Sequence, residues 1–148
     1  LHPRTRSQGY SGKAEWEHIA RLVEAVPVPV IGSGDLYTQE DIFHMLSETG
    51  CAACMPARGA IGNPFLFRAA KGKTDAVSVE ERVKTIHTHL SLASRYLGPE
   101  RAVKEMKKHL CAYTRGFPHS AKIRQKIVTS QYIEDYYPII KEFSENVL

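Results

Sequence analysis

Residues 30–36 read Val-Ile-Gly-Ser-Gly-Asp-Leu, and this stretch decides the fold. Its β-branched pair closes a short strand over Val28 to Ile31, and two glycines around a serine turn the chain out of it. Thr38 and Asp41 follow with the spacing of a capping box, so a helix begins at once. Ile42, Phe43, Met45 and Leu46 form the expected inward face of that helix, and Gly50 stops it. Upstream, Trp16, Ile19, Leu22, Val23 and Val26 recur at helical spacing within Ala14 to Val26. Downstream, Cys51 to Met55 reads as a second short buried strand. Helices and strands alternating at this length build parallel βα units, and strands apolar on both faces suit a sheet covered on both sides.

The pattern changes near residue 71. KGKTDA at 71–76 reads as a polar linker, and Ser78 with Glu81 makes a second capping box. Every later segment reads as helix. Val83, Ile86, Leu90, Ala93 and Leu97 form a stripe that ends at Gly98. Pro99 opens the next helix, which turns Ala102, Val103, Met106, Leu110 and Tyr113 inward and stops at Gly116. Ser120 is the expected cap of a third helix, through Ile123 and Ile127. Tyr132 to Phe143 gives a fourth, interrupted at Pro138. The expectation is an α/β segment over residues 1–70 and an all-α helical bundle over 71–148.

With 148 residues, 43% of them hydrophobic, the chain has material for one domain or two small ones. No apolar run approaches the roughly 20 residues of a membrane span, and no basic-plus-apolar leader precedes the first motif. Cys51, Cys54 and Cys111 are an odd number without a scaffold pattern, which fits a reducing, cytoplasmic setting. A first residue Leu1 leads us to expect a piece of a longer protein. The net charge of +4 is unevenly spread, because Pro99 to Lys126 holds eight Lys/Arg against Glu100 and Glu105. One basic segment on a mildly acidic body points to a polyanionic partner.

Two strand ends carry similar loops, Gly32-Ser33-Gly34-Asp35 and Ala57-Arg58-Gly59-Ala60. Glycines let backbone N–H groups approach an anion, and arginine adds a bidentate charge, so the pair suits one phosphate; short tight turns are the alternative. Cys51-x-x-Cys54 lacks a second ligand pair, so a metal is not expected and all three cysteines read as small core residues. His87 and His89, two apart on a helix, read as surface residues. His109 and His119 either touch an RNA phosphate or are solvated.

Three motifs in order, His2-Pro3-Arg4-Thr5-Arg6-Ser7-Gln8-Gly9-Tyr10-Ser11-Gly12, VIGSGD at 30–35 and ARGAIGNPFLF at 57–67, resemble the tRNA-dihydrouridine synthase family. KKHLCAYTRGFPHSAKIR at 107–124 resembles its C-terminal helical domain. The resemblance implies the C-terminal part of a TIM (β/α)8 barrel followed by an all-α helical-bundle domain. It implies FMN as cofactor, NADPH as reductant, and reduction of a uridine C5–C6 double bond in tRNA.

By the same resemblance His2 lies against the flavin, and Ser33, Gly34, Asp35, Ala57, Arg58 and Gly59 hold its phosphate and ribityl region. Serine stands at 33 and alanine at 57 where the family has asparagine and glycine. The proton-donating cysteine belongs to an Asn-x-x-Cys-Pro segment that is not among these 148 residues. RNA contacts are expected from Arg4 and Arg6 beside His2, and from Lys107, Lys108, Arg115, Lys122 and Arg124. Two other readings remain open: an FMN barrel with a small-molecule substrate, and a non-enzymatic RNA-binding helical module.

Overall fold

The computed structural model describes residues 1–73 and 76–147; Thr74 and Asp75, inside the expected 71–76 linker, and Leu148 lie outside the described residues. The chain divides into two compact units, Leu1–Ala60 with the segment from Pro64, and Ile61–Asn63 with the chain from Ala76 onward.

In the first unit, α1 (Glu17–Ala25) leads to β1 (Ile31–Gly32), α2 (Gln39–Thr49), β2 (Ala53–Cys54) and a short α3 (Leu66–Ala69). The strands are parallel, with Ile31 opposite Ala53 and Gly32 opposite Cys54. Leu1 lies along the other side of β1: its amino group donates to the Ile31 carbonyl at 2.6 Å and its carbonyl accepts from Ser33 N at 2.9 Å. The α2 capping box forms as expected, with Thr38 accepting from Asp41 N, and Gly50 adopts the left-handed conformation that ends the helix.

Ile19, Val30, Leu36, Ile42, Met45, Cys51 and Leu66 form this unit's core. The strands are shorter than expected, and among the described residues only one side of the sheet is covered: Ile31 and Met55 are 52% and 57% exposed. Val28, expected within the strand, is exposed and precedes it. Phe43 is exposed as well, because the α2 face that meets the sheet is narrower than the apolar run.

The second unit packs α4 (Val79–Leu97), α5 (Pro99–Tyr113), α6 (Ser120–Thr129) and α7 (Tyr136–Val147) around Ile86, Leu90, Met106, Leu110, Ile123, Ile127, Tyr136, Ile140 and Phe143. Ser78 Oγ accepts from Glu81 N at the start of α4, and Pro99 opens α5. Leu97, expected inward, is 40% exposed at the end of α4.

Two expected helix starts are corrected. His119, in a left-handed conformation, takes the N-cap position of α6, and the Ser120 hydroxyl accepts from Arg124 instead of capping. Pro138 lies in the first turn of α7, where its missing N–H breaks no helical hydrogen bond, so the helix runs through it. Gly62 (φ +71°) packs onto α5 so closely that a Cβ there would lie 2.5 Å from the Ala112 Cβ.

Candidate anion-binding site

His2, Ser33, Gly34, Asp35, Ala57, Arg58 and Gly59 line one cleft of about 30 Å³ in the first unit, joined by Leu36 and Tyr37. The parallel strands bring this about, because β1 and β2 release their loops on the same side. Ser33 Oγ donates to the Met55 carbonyl at 3.0 Å, tying one loop to the other strand's end. Trp16 Nε1 donates to the Gly34 carbonyl at 3.0 Å and fixes the loop to the start of α1.

Asp35 is the hub of the cleft. Its Oδ1 accepts from Arg4 Nη1 at 2.9 Å and Arg58 Nη2 at 3.1 Å; its Oδ2 accepts from Arg4 Nη2 at 2.6 Å and Ala14 N at 2.8 Å. The Arg4 guanidinium holds the Asp35 carboxyl below the usual carboxylate range, so it is charged at neutral pH. Asp35 also has φ +55°, a conformation asparagine and aspartate reach more readily than most side chains.

Arg58 has its guanidinium 4.5 Å from the Tyr10 ring centre and 5.7 Å from that of Tyr37. Among the described residues its only hydrogen bond is the one to Asp35, so most of its five N–H donors remain available. Gly59 has no room for a side chain: a Cβ would lie 2.0 Å from the Leu36 carbonyl oxygen. Arg58 lines the cleft and Arg4 lies buried behind it, so this cluster of two guanidinium groups and the Asp35 carboxylate carries one net positive charge. A small cleft beside that cluster, with the free donors of Arg58 at its wall, has the chemistry to attract an anionic group. His2 is exposed, and its Nδ1 accepts from Arg4 N at 3.2 Å.

The expected RNA contacts are placed differently from one another. The Arg4 side chain is 4% exposed and is consumed by Asp35 and by the carbonyls of Ser11 and Gly12, so it is withdrawn as an RNA contact. Arg6, Lys108, Arg115 and Lys122 are exposed. Lys108 pairs with Glu105 on its own helix, and Lys107 Nζ donates to the Val128 carbonyl at 2.7 Å. Arg124 donates to Ser120 Oγ at 2.7 Å. Lys126, in the same basic segment, is paired with Glu142.

His119 is exposed, whereas His87, His89 and His109 are half-buried and make ring contacts. His87 stacks on Tyr137 with ring centres 5.6 Å apart. His89 meets His109 edge to face at 4.8 Å and lies 3.4 Å from the Tyr113 hydroxyl. The cysteines are free; burial beside Cys51 pushes the Cys54 thiol up to about 12, which keeps it protonated. Among the described residues no three His, Cys, Asp or Glu gather as metal ligands, and no helix is long and apolar enough to cross a membrane. Tyr10 and Tyr37 escape sequence reasoning, since nothing in their spacing marks them as neighbours of Arg58.

A family model described as dihydrouridine synthase (Dus) matches residues 1–145. A probable tRNA-dihydrouridine synthase of Aquifex aeolicus (strain VF5) is 36% identical over 149 residues, covering 100% of this chain and 47% of that protein. One from Treponema pallidum (strain Nichols) is 37% identical over 96% of this chain and 44% of its own length. Probable tRNA-dihydrouridine synthase 1 of Synechocystis is 35% identical over 91% of this chain and 39% of its own. The chain thus spans less than half the length of these relatives. With a family match along nearly all of its residues, the chain belongs to the dihydrouridine synthase family.

Proposed function

We propose that this chain is the C-terminal part of an FMN-dependent tRNA-dihydrouridine synthase: residues 1–70 the end of a TIM barrel, residues 71–148 a helical tRNA-binding domain. The observation that carries this reading is the cleft where the segments around His2, Gly34 and Arg58 meet. The positive charge of the Arg4–Asp35–Arg58 cluster and the spare donors of Arg58 fit the phosphate of FMN, and the uncovered apolar side of the sheet, with Ile31 and Met55, fits further barrel strands.

In this reading Arg58 and the N–H groups of Gly34, Asp35 and the 57–59 loop hold the phosphate, and His2 borders the flavin. Held there and reduced at the expense of NADPH, FMN would supply the hydride chemistry needed to saturate a uridine C5–C6 bond. The proton donor is a cysteine outside these residues. Arg6, Lys107, Lys108, Arg115, Lys122 and Arg124 meet the RNA backbone, and the reaction belongs to the cytoplasm.

The test is to replace Arg58 by alanine in the protein that carries this chain and to measure flavin loading, tRNA affinity and dihydrouridine formation. Loss of flavin and activity with tRNA affinity intact is expected. Full flavin loading in R58A would refute the site, and intact flavin loading by a protein with no affinity for tRNA would favour the small-molecule FMN barrel. The 148 residues alone are expected to bind FMN weakly and to form no dihydrouridine.

A further inference from the structure

Arg58 and Asp35 are bonded at 3.1 Å, which raises a question about any anion in their cleft. A carboxylate beside an anion site repels the anion, yet Asp35 lies among the cleft's lining residues and is held there by four hydrogen bonds. Simple electrostatics would favour a neutral residue at 35.

The geometry answers the question. The Asp35 carboxylate joins the other two segments of the cleft to its own loop: it accepts from Arg4 and Ala14 of the first and from Arg58 of the third. Arg4 is the inner anchor. Its side chain is buried, it grips both Asp35 oxygens, and it closes the 4–12 turn through the Ser11 and Gly12 carbonyls at 3.2 and 2.6 Å. Arg58 is the outer arm, its side chain 36% exposed, restrained by one bond to Asp35 and by the Tyr10 ring. A half-exposed arginine with no such restraint loses side-chain entropy when it takes a ligand; one already held loses less.

We infer that Arg4 and Asp35 are positioning residues: Arg4 fixes Asp35, and Asp35 aims the Arg58 guanidinium into the cleft for a phosphate monoester. This rests on the phosphate reading of the cleft given above. It assigns Arg4 a role within the anion site, and it makes the carboxylate a contributor to anion affinity despite its sign.

The sign supplies the test. In Asp35→Asn the cleft gains one positive charge and loses the anchor of Arg58. If Asp35 is only a countercharge, phosphate binding tightens; if it aims Arg58, binding weakens, by about tenfold for the loss of one charge-assisted restraint. Backbone amide shifts of Ser33, Gly34 and Gly59 in the full-length protein that carries this chain are followed by NMR during titration with inorganic phosphate, FMN and riboflavin. Wild type is expected to respond to phosphate and FMN and much less to riboflavin.

D35N is expected to weaken phosphate and FMN and to leave riboflavin unchanged, and Arg4→Lys, which cannot span both carboxylate oxygens and the two carbonyls together, to do the same more mildly. In an Arg58→Ala background neither change should weaken phosphate further, because both act through Arg58. A role limited to holding the fold would lower affinity equally in both backgrounds, which overturns the inference. Tighter or unchanged phosphate binding by D35N also overturns it while leaving the phosphate site in place. No response of wild type to phosphate or FMN overturns both the inference and the reading beneath it. Retained amide dispersion confirms that each variant is folded, and R4K stands in should D35N fail to fold.

Discussion

The Tyr136 hydroxyl donates a 2.6 Å hydrogen bond to the carbonyl oxygen of Val103, joining α7 to α5 inside the helical core. Tyr136 is fully buried. Burial pushes its hydroxyl up to about 12, so the bond persists across the ordinary pH range. Tyr136→Phe keeps the ring and removes the donor, and a loss of about 1 kcal/mol is expected. Urea unfolding of the wild-type and variant chains measures it, with a lower midpoint and an unchanged slope as the signature.

Gly59→Ala should be far more damaging than its size suggests. A methyl group 2.0 Å from the Leu36 carbonyl forces the 57–60 turn away from the neighbouring loop. About 3 kcal/mol or more of destabilisation is expected, with loss of anion binding. Circular dichroism melts and a phosphate titration of the same sample report both effects. Unchanged melting would mean that the two loops are not packed as described.

The histidine pair predicts a pH dependence with a definite sign. Burial lowers the His89 pKa, and burial followed by the charges of His89 and Lys108 lowers that of His109, against the opposing pull of Glu105. A histidine whose folded pKa lies below its unfolded value of about 6.5 binds its proton more readily when unfolded. Its contribution is therefore complete above about pH 6.5 and is lost as pH falls through the lowered folded pKa. Melting temperature should drop between about pH 7.5 and about pH 5.5, and His109→Gln should flatten that drop.

For the proposed RNA surface, combined Lys107→Ala, Lys108→Ala and Arg124→Ala should weaken tRNA binding whatever the tRNA sequence. The log–log salt slope should fall by about 0.9 for each phosphate that is no longer neutralised. Filter binding at several salt concentrations separates this from a fold defect. An identical slope would remove these three cations from the interface. Arg4→Lys should leave the slope unchanged, since Arg4 is buried against Asp35.

Local signals are the legible part of the sequence. The Thr38–Asp41 box, the stop at Gly50 and the Pro99 start each depend on residues within one turn of one another, and the structure has all three. The inward set of α5 is legible for the same reason, as its periodicity matches burial at Ala102, Val103, Met106, Leu110 and Tyr113. The gathering of His2, Gly34 and Arg58 follows from parallel strands that end on one side.

What stays hidden depends on partners distant in sequence. Arg4 reads as an exposed cation because its counterion lies 31 residues away and nothing local marks the pair. Phe43 and Leu97 continue their apolar stripes past the point where a neighbour covers them. Lys126 finds Glu142 across 16 residues, so the basic segment is less free than its charge suggests. Pro138 reads as an interruption only if the helix begins at Tyr132; with the start at Tyr136 it falls in the first turn, where proline is tolerated.

The short segment Ile61–Asn63 has a consequence for any attempt to dissect the protein. It belongs with the helices, yet both its flanks belong to the other unit, so the chain crosses the boundary three times. Gly62 lodges against Ala112 and Tyr113, a fit that only a residue without a side chain can make. No single cut therefore releases two intact halves. A helical fragment begun at Ala76 leaves the hollow over Ala112 empty, and a first half ended at Ala60 loses Leu66 from its core. Expression of the halves calls for residues 61–63 to be supplied to the helical piece as a separate peptide or a permuted tail.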